Sequence, residues 1–193
     1  MNLFNFDKDN DYKETWEYKG SKEFYDRLMI YNRYFFDHKA RSLFEEVYLL
    51  TRKYPEDELY NLMVQVCRGI EFMPLKMNDG LRRHFLEVAY VSVLVVSEVY
   101  ELTLSFPIDD KYALTDQLRK AVVLVTSNIV EVVIRSSEEK LHSYHIAYDH
   151  LSEIRSLLTL ACELDIISNE KLGDICQHIE TVARVMNDYR KSL

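Results

Sequence analysis

Residues 46–65 read Glu-Val-Tyr-Leu-Leu-Thr-Arg-Lys-Tyr-Pro-Glu-Asp-Glu-Leu-Tyr-Asn-Leu-Met-Val-Gln, and 52 positions later the chain says much the same again. Glu98-Val99-Tyr100, Leu102-Thr103, Pro107, Asp109, Tyr112, Leu114 and Gln117 repeat the residues at 46–48, 50–51, 55, 57, 60, 62 and 65. Ten of twenty positions are identical without a gap, where unrelated segments share about one by chance. Phe106 against Tyr54 adds a conservative match. The repeated unit reads as a helix, a tight turn containing proline, and a second helix. Leu43, Val47 and Leu50 form one apolar stripe that ends at Lys53. Pro55 then sits where a new helix starts, with Glu56, Asp57 and Glu58 in its first turn to complement the dipole. Leu59, Met63, Val66 and Ile70 carry the second stripe, closed by Pro74 and Asn78-Asp79-Gly80.

The composition agrees with helices joined by short loops. The 193 residues are enough for one substantial core, and they contain only 4 glycines and 3 prolines. Sheet proteins need more turn residues than that. Formal net charge is −8, with −2 in residues 1–82 and −6 in residues 83–193. That balance opposes a main surface that grips a phosphate backbone. Cys67, Cys162 and Cys176 lack metal-ligand spacing and are odd in number, which fits buried thiols in a reducing compartment. Residues 1–20 show no charged-then-apolar signal pattern. The longest nearly apolar run, 85–97, is too short to span a bilayer. The expectation is a cytoplasmic protein.

Outward from the first copy, residues 1–20 read as an acidic, aromatic arm. From Ser21, Phe24, Leu28, Tyr31 and Phe35 form a leading helical stripe. Beyond the second copy's start, Val88 to Val96 and Val122 to Ile134 would each pass alone for a buried strand. Both are embedded in longer helical periodicity, and the first copy reads helical at matching positions. Both are therefore read as helix. Ser137 starts a third bundle helix whose stripe runs Leu141, Tyr144, Tyr148, Leu151, Ile154, Leu158, Ala161 and Leu164. Ser168-Asn169-Glu170 starts the last, with Leu172, Ile175, Ile179, Val182, Met186 and Tyr189 facing inward.

From about residue 85 onward the chain resembles the four-helix bundle proteins named after intervening sequences in bacterial 23S rRNA genes. The resemblance rests on Phe106-Pro107, Tyr112, Leu114-Thr115, Gln117-Leu118-Arg119-Lys120-Ala121, Ser127-Asn128-Ile129, Glu131, Arg135-Ser136-Ser137, Ile146-Ala147 and Leu151-Ser152-Glu153. Three departures stand out: Thr126 replaces the family's usual Pro, Val132 its Gly, and Asp149-His150 its Gly-Ser pair. Losing Pro and Gly predicts a straighter, longer second bundle helix. The resemblance implies a four-helix bundle with a tendency toward pentameric rings. One branch of the family serves as a basic accessory protein to a reverse transcriptase and its RNA. It also implies that Asn128 and Glu131 lie within the bundle, where i and i+3 can share a structural polar network with Arg119 and Arg135 as partners.

Candidate chemistry is sparse. Glu139, His142, His145, Asp149 and His150 lie close along one helix, but a carboxylate-bridged di-iron bundle needs a second Glu-x-x-His, and none occurs. They read as surface polar residues, and neither metal nor cofactor is expected. Arg33 with His38 and Arg135 with His142 meet the spacing of helical ribonucleases of the HEPN type. Twelve arginines and six histidines give about one such pair by chance. No phosphate loop, nucleophile triad or paired catalytic carboxylates stand out. Trp16, Tyr31, Tyr34 and Phe35 concentrate near the N-terminus, as residues that anchor a protein interface do.

The expected architecture is all-α: an arm and leading helix at 1–38, a partial repeat forming a hairpin at 39–80, and an antiparallel up-and-down four-helix bundle at 81–193. The expected function is non-catalytic assembly or adaptation through contacts with itself or a partner protein, without membrane. The alternative is a nucleic-acid-associated accessory, for instance to a reverse transcriptase; a helical ribonuclease comes third.

Overall fold

A computed structural model of the chain describes residues 38–54, 57–72, 79–107, 114–134 and 137–192. The expected arm and leading helix, with Trp16, Tyr31, Tyr34 and Phe35, fall outside the described residues. Everything described here belongs to the unit Asp37–Leu193. Among the described residues there are six helices and no strand: α1 His38–Lys53, α2 Asp57–Phe72, α3 Asp79–Thr103, α4 Asp116–Ile134, α5 Ser137–Glu163 and α6 Asn169–Ser192.

The contact order explains the valine runs. α3, α4, α5 and α6 pack in a closed ring, each on its two neighbours in the order of the chain, with α6 returning to α3. That is the expected up-and-down bundle. The hairpin α1–α2 adds a second ring on the other side, α1 against α3 and α2 against α4. The hairpin α3–α4 is therefore a wall shared by two four-helix packings. A helix buried on opposite flanks must be apolar nearly all round. In α3 the buried set is Phe85, Leu86, Val88, Ala89, Ser92, Val93, Val95, Val96, Val99, Tyr100, Leu102 and Thr103. Each valine there loses only a few tenths of a kcal/mol in helix propensity, while full burial of its side chain contributes about 1.5–3 kcal/mol. Burial decides the outcome, and both runs are helix.

Local signals set the helix ends. Ser168 caps α6, its hydroxyl accepting from the Lys171 amide at 3.2 Å. α5 ends in a Schellman turn: Ile166 N–H reaches back to Ala161 C=O (2.9 Å) and Asp165 N–H to Cys162 C=O (3.0 Å). Asp165 takes the left-handed backbone that such a turn requires, at φ 57°. α4 runs unbroken through Thr126 and Val132, as loss of the Pro and Gly predicts.

Two readings of the sequence need correction. Asp79 and Gly80 do more than close a hairpin, because α3 begins there. The Asp79 carboxylate accepts from Arg82 at 2.8 Å, and its carbonyl from Arg83 Nε at 3.1 Å, which ties the first turn of α3. The inner stripe of α5 is also narrower than its spacing suggested. Tyr144, Ala147, Leu151, Ile154, Leu158 and Ala161 are buried, whereas Leu141, Tyr148 and Leu164 are exposed.

Candidate functional site

Two places in the described structure gather side chains whose arrangement goes beyond core packing. The first is where the repeats join. Tyr54 closes α1, its amide bonded to Leu50 C=O at 2.9 Å, and its ring leans on Tyr100 of α3 with centroids 5.3 Å apart. The Lys53 ammonium lies over the Tyr54 ring, 5.3 Å from its centroid. Over Tyr100 lies the Arg119 guanidinium of α4, at 4.6 Å. The result is a column of cation, ring, ring and cation that runs from α1 through α3 to α4. Glu101 ties its open end, accepting from Tyr54 Oη at 2.7 Å and pairing with Lys53. Arg119 Nε donates to Thr103 Oγ1 at 2.9 Å, and Thr103 donates to Tyr100 C=O at 3.0 Å.

The electrostatics of this column are those of a joint. Hydrogen bonds from Lys53 and then Tyr54 hold the Glu101 carboxyl below its ordinary pKa. Glu101 and Tyr54 in turn raise the Lys53 ammonium. The Tyr54 phenol is raised, first by burial and then by its bond to Glu101. Every shift favours the protonation state already present at neutral pH, so no group is poised to exchange a proton with a substrate.

The second place is a groove of about 570 Å³ between α5 and α6. Leu151, Ile179 and Ala183 line it alongside Tyr148, Ser152, Arg155, Arg184 and Asn187. The two helices are clasped across it by Arg155 to Glu180 at 2.9 Å and by Tyr144 Oη to Asn187 Oδ1 at 2.9 Å. Arg190 stands 5.5 Å from the Tyr144 ring centre, and burial still raises the Tyr144 phenol above its usual pKa. Exposed apolar side chains accumulate on α5 and the turn after it: Leu141 51%, Tyr148 37%, Leu160 42% and Leu164 53%. Cys176 is not an activated nucleophile, because burial outweighs nearby Arg155 and pushes its thiol pKa up.

Of the polar residues singled out from sequence, Arg119 engages Thr103 and Tyr100. Asn128 donates to Leu124 C=O of its own helix at 2.8 Å. The two are nine residues apart on α4, about 14 Å along its axis, so they do not meet directly. Glu131 is half-buried, and Arg135 lies outside the described residues. Of the arginine–histidine pairs, Arg33 and Arg135 are also outside, and His142 is exposed. His150 contacts Glu153 at 2.8 Å. Among the described residues no group of three or more His, Cys, Asp or Glu side chains is placed to hold a metal ion. Sequence reading missed the column and the groove. The repeat of Tyr48-Thr51 as Tyr100-Thr103 was the one available pointer to the column.

With this geometry in place, the chain can be set beside known proteins. The model of the 23S rRNA-intervening sequence protein family matches residues 85–188, just over half of the chain. The chain belongs to that family. The matched stretch starts in the first turns of α3 and ends near the close of α6, so it is the α3–α6 bundle. The hairpin α1–α2 is an addition outside the family match. No curated protein matches the chain. No helix among the described residues is long and apolar enough to cross a membrane.

Proposed function

We propose that this family member is a non-catalytic assembly or adaptor protein that presents the α5–α6 side of its bundle to a protein partner. The observation that carries the reading is a groove in which Leu151, Ile179 and Ala183 lie among polar and charged side chains, with Leu141 and Tyr148 exposed along the same flank of α5. That helix already fills the core with a complete inner stripe, so its outward apolar residues are surplus to folding. Arg155 with Glu180 and Lys191 with Asp188 pair around the groove, which gives it a rim of mixed charge, as protein interfaces have. Its place of work would be the cytoplasm. Three free thiols, of which Cys67 is buried and Cys162 and Cys176 half-buried, suit a reducing compartment.

The test is recovery of tagged full-length chain from its native host at low and high salt, beside the Tyr148→Glu variant. The expected result is one partner protein retained at high salt and lost with the variant. Nucleic acid released by salt would favour the accessory reading, because phosphate-dominated binding weakens steeply as salt rises. Recovery of the chain alone with both proteins would set the groove aside as a partner site.

A further inference from the structure

The α6 wall of the groove is a stripe at helical spacing: Glu180, Arg184, Asn187 and Lys191. Its two ends are occupied. Glu180 accepts from Arg155 of α5 at 2.9 Å, and Lys191 pairs with Asp188 at 3.3 Å. Glu180 and Asp188 are the only carboxylates that line the groove, against the three cations Arg155, Arg184 and Lys191. The cation left over is Arg184, which makes no ion pair, hydrogen bond or ring contact among the described residues. One turn further on, Asn187 gives its oxygen to Tyr144 Oη at 2.9 Å. Its NH2 is then a second donor without an acceptor among the described residues. The α5 wall offers no carboxylate, and the Ser152 hydroxyl already donates to Tyr148 C=O at 3.2 Å. In a chain of net charge −8, the groove is thus a place where positive charge is in local excess.

We propose that the groove takes an amphipathic helix of the partner protein, whose apolar side meets Leu151, Ile179 and Ala183 and whose Asp or Glu accepts from Arg184 and Asn187. This rests on the reading of the α5–α6 side as the partner surface and adds the chemistry of that partner. A helix is the element that fits, because both walls spend their backbone groups in their own helices and offer no edge to an added strand. From Glu180 to Lys191 the stripe covers about 16 Å, three turns of a docked helix. A carboxylate opposite Arg184 gains charge-assisted hydrogen bonds from donors otherwise unused, whereas a lysine there meets a like charge.

The test uses the full-length chain as bait and a displayed library of four-turn amphipathic helices as probe. The library has leucine at its apolar positions and equal shares of Glu, Gln and Lys at the positions beside them. The baits are wild type, Arg184→Glu, Tyr148→Glu and Arg68→Glu. Arg68 lies on α2 outside the groove, and its reversal changes the net charge as that of Arg184 does. All three positions are exposed, so each variant folds, which far-ultraviolet circular dichroism checks. Wild type and Arg68→Glu should enrich Glu over Lys about tenfold at one flanking position, and Arg184→Glu should enrich Lys there instead. Tyr148→Glu should enrich nothing. In fluorescence anisotropy, a peptide selected on wild type should bind Arg184→Glu about tenfold more weakly, and its counterpart with lysine for that glutamate should regain the loss. Selection lost with Tyr148→Glu but indifferent to Arg184→Glu would overturn the carboxylate assignment and leave the groove as a partner site. Selection indifferent to Tyr148→Glu, or none above background on wild type, would overturn both.

Discussion

At matching positions of the two hairpins, Val93 of α3 stands where the first copy has Arg41, Leu94 where it has Ser42, and Val123 of α4 where it has Glu71. The shared ancestry of the units is plain, and their burial differs. α3 and α4 are covered on two flanks, whereas α1–α2 keeps Ser42, Leu49, Asn61, Val64 and Arg68 exposed. One duplicated sequence has thus become a wall in its second copy and an edge in its first. Repeat arrays show the same division, because a terminal unit needs a polar outer side to stop the stack. The changes at Arg41, Ser42 and Glu71 follow layer position, whereas at Leu49 and Val64 the wall copy carries the exposed acids Glu101 and Asp116. Four of the positions kept, Val47 with Val99, Leu50 with Leu102, Thr51 with Thr103 and Leu62 with Leu114, are buried in both copies.

The comparison breaks most readily by exchanging residues between edge and wall. Val93→Arg places an unpaired charge where exposure is 1%, and should cost more than about 4 kcal/mol in urea unfolding, near the whole stability of a domain. The reciprocal Leu49→Glu, which imports the residue at Glu101 onto the edge, should stay within about 0.5 kcal/mol. Equal effects would mean that the wall is no more buried than the edge. The glycines give the next contrast. A Cβ on Gly69 of α2 would lie 2.4 Å from Val130 Cγ1 of α4, while one on Gly173 of α6 meets nothing within 4 Å. Gly69→Ala should cost about 1–3 kcal/mol by forcing the hairpin off the wall. Gly173→Ala should stabilise by about 0.5–1 kcal/mol through helix propensity alone.

Arg119 marks another difference, since the first copy has buried Cys67 at the equivalent position. Arg119→Met should lose about 1–2 kcal/mol, through the Tyr100 face and the bond to Thr103. A thermal shift near zero would show that the column contributes nothing. The smallest effect at neutral pH concerns the far flank of the wall, where Tyr189 of α6 packs on Phe85 with centroids 6.3 Å apart. Burial pushes its phenol from 10.0 up to about 12. Because the folded value is the higher, the stabilisation is complete below pH 10 and is lost as pH rises toward 12. Tyr189→Phe should flatten that alkaline limb of the stability curve and leave stability at pH 7 nearly unchanged.

Much of this architecture was legible in the residues. The 52-residue repeat announced a helical hairpin twice, and the capping residue Ser168 located its helix. The valine runs were decided by context, since intrinsic propensity alone points to strand. What stayed hidden depended on tertiary placement. α5 carries apolar residues around much of its circumference, so three-four spacing could not choose between Tyr144, Leu151 and Leu158, which are buried, and Leu141, Tyr148 and Leu164, which are not. Arg119 was read with neighbours on its own helix; its contacts to Thr103 and Tyr100 of α3, sixteen or more residues away, were not visible in the sequence. The groove arises from how far α5 and α6 stand apart, which no one-dimensional pattern records.

The central claim is that α3–α4 is a wall carried by two layers and α1–α2 an edge laid upon it. Native-state hydrogen exchange tests this most directly, since it resolves local openings from global unfolding. Amides of Val93 to Val99 and Val122 to Val130 should exchange only at the free energy of global unfolding, while those of α1 and α2 exchange through an easier opening that leaves the wall protected. Protection in α1–α2 equal to or greater than that in α3–α4 would contradict the account.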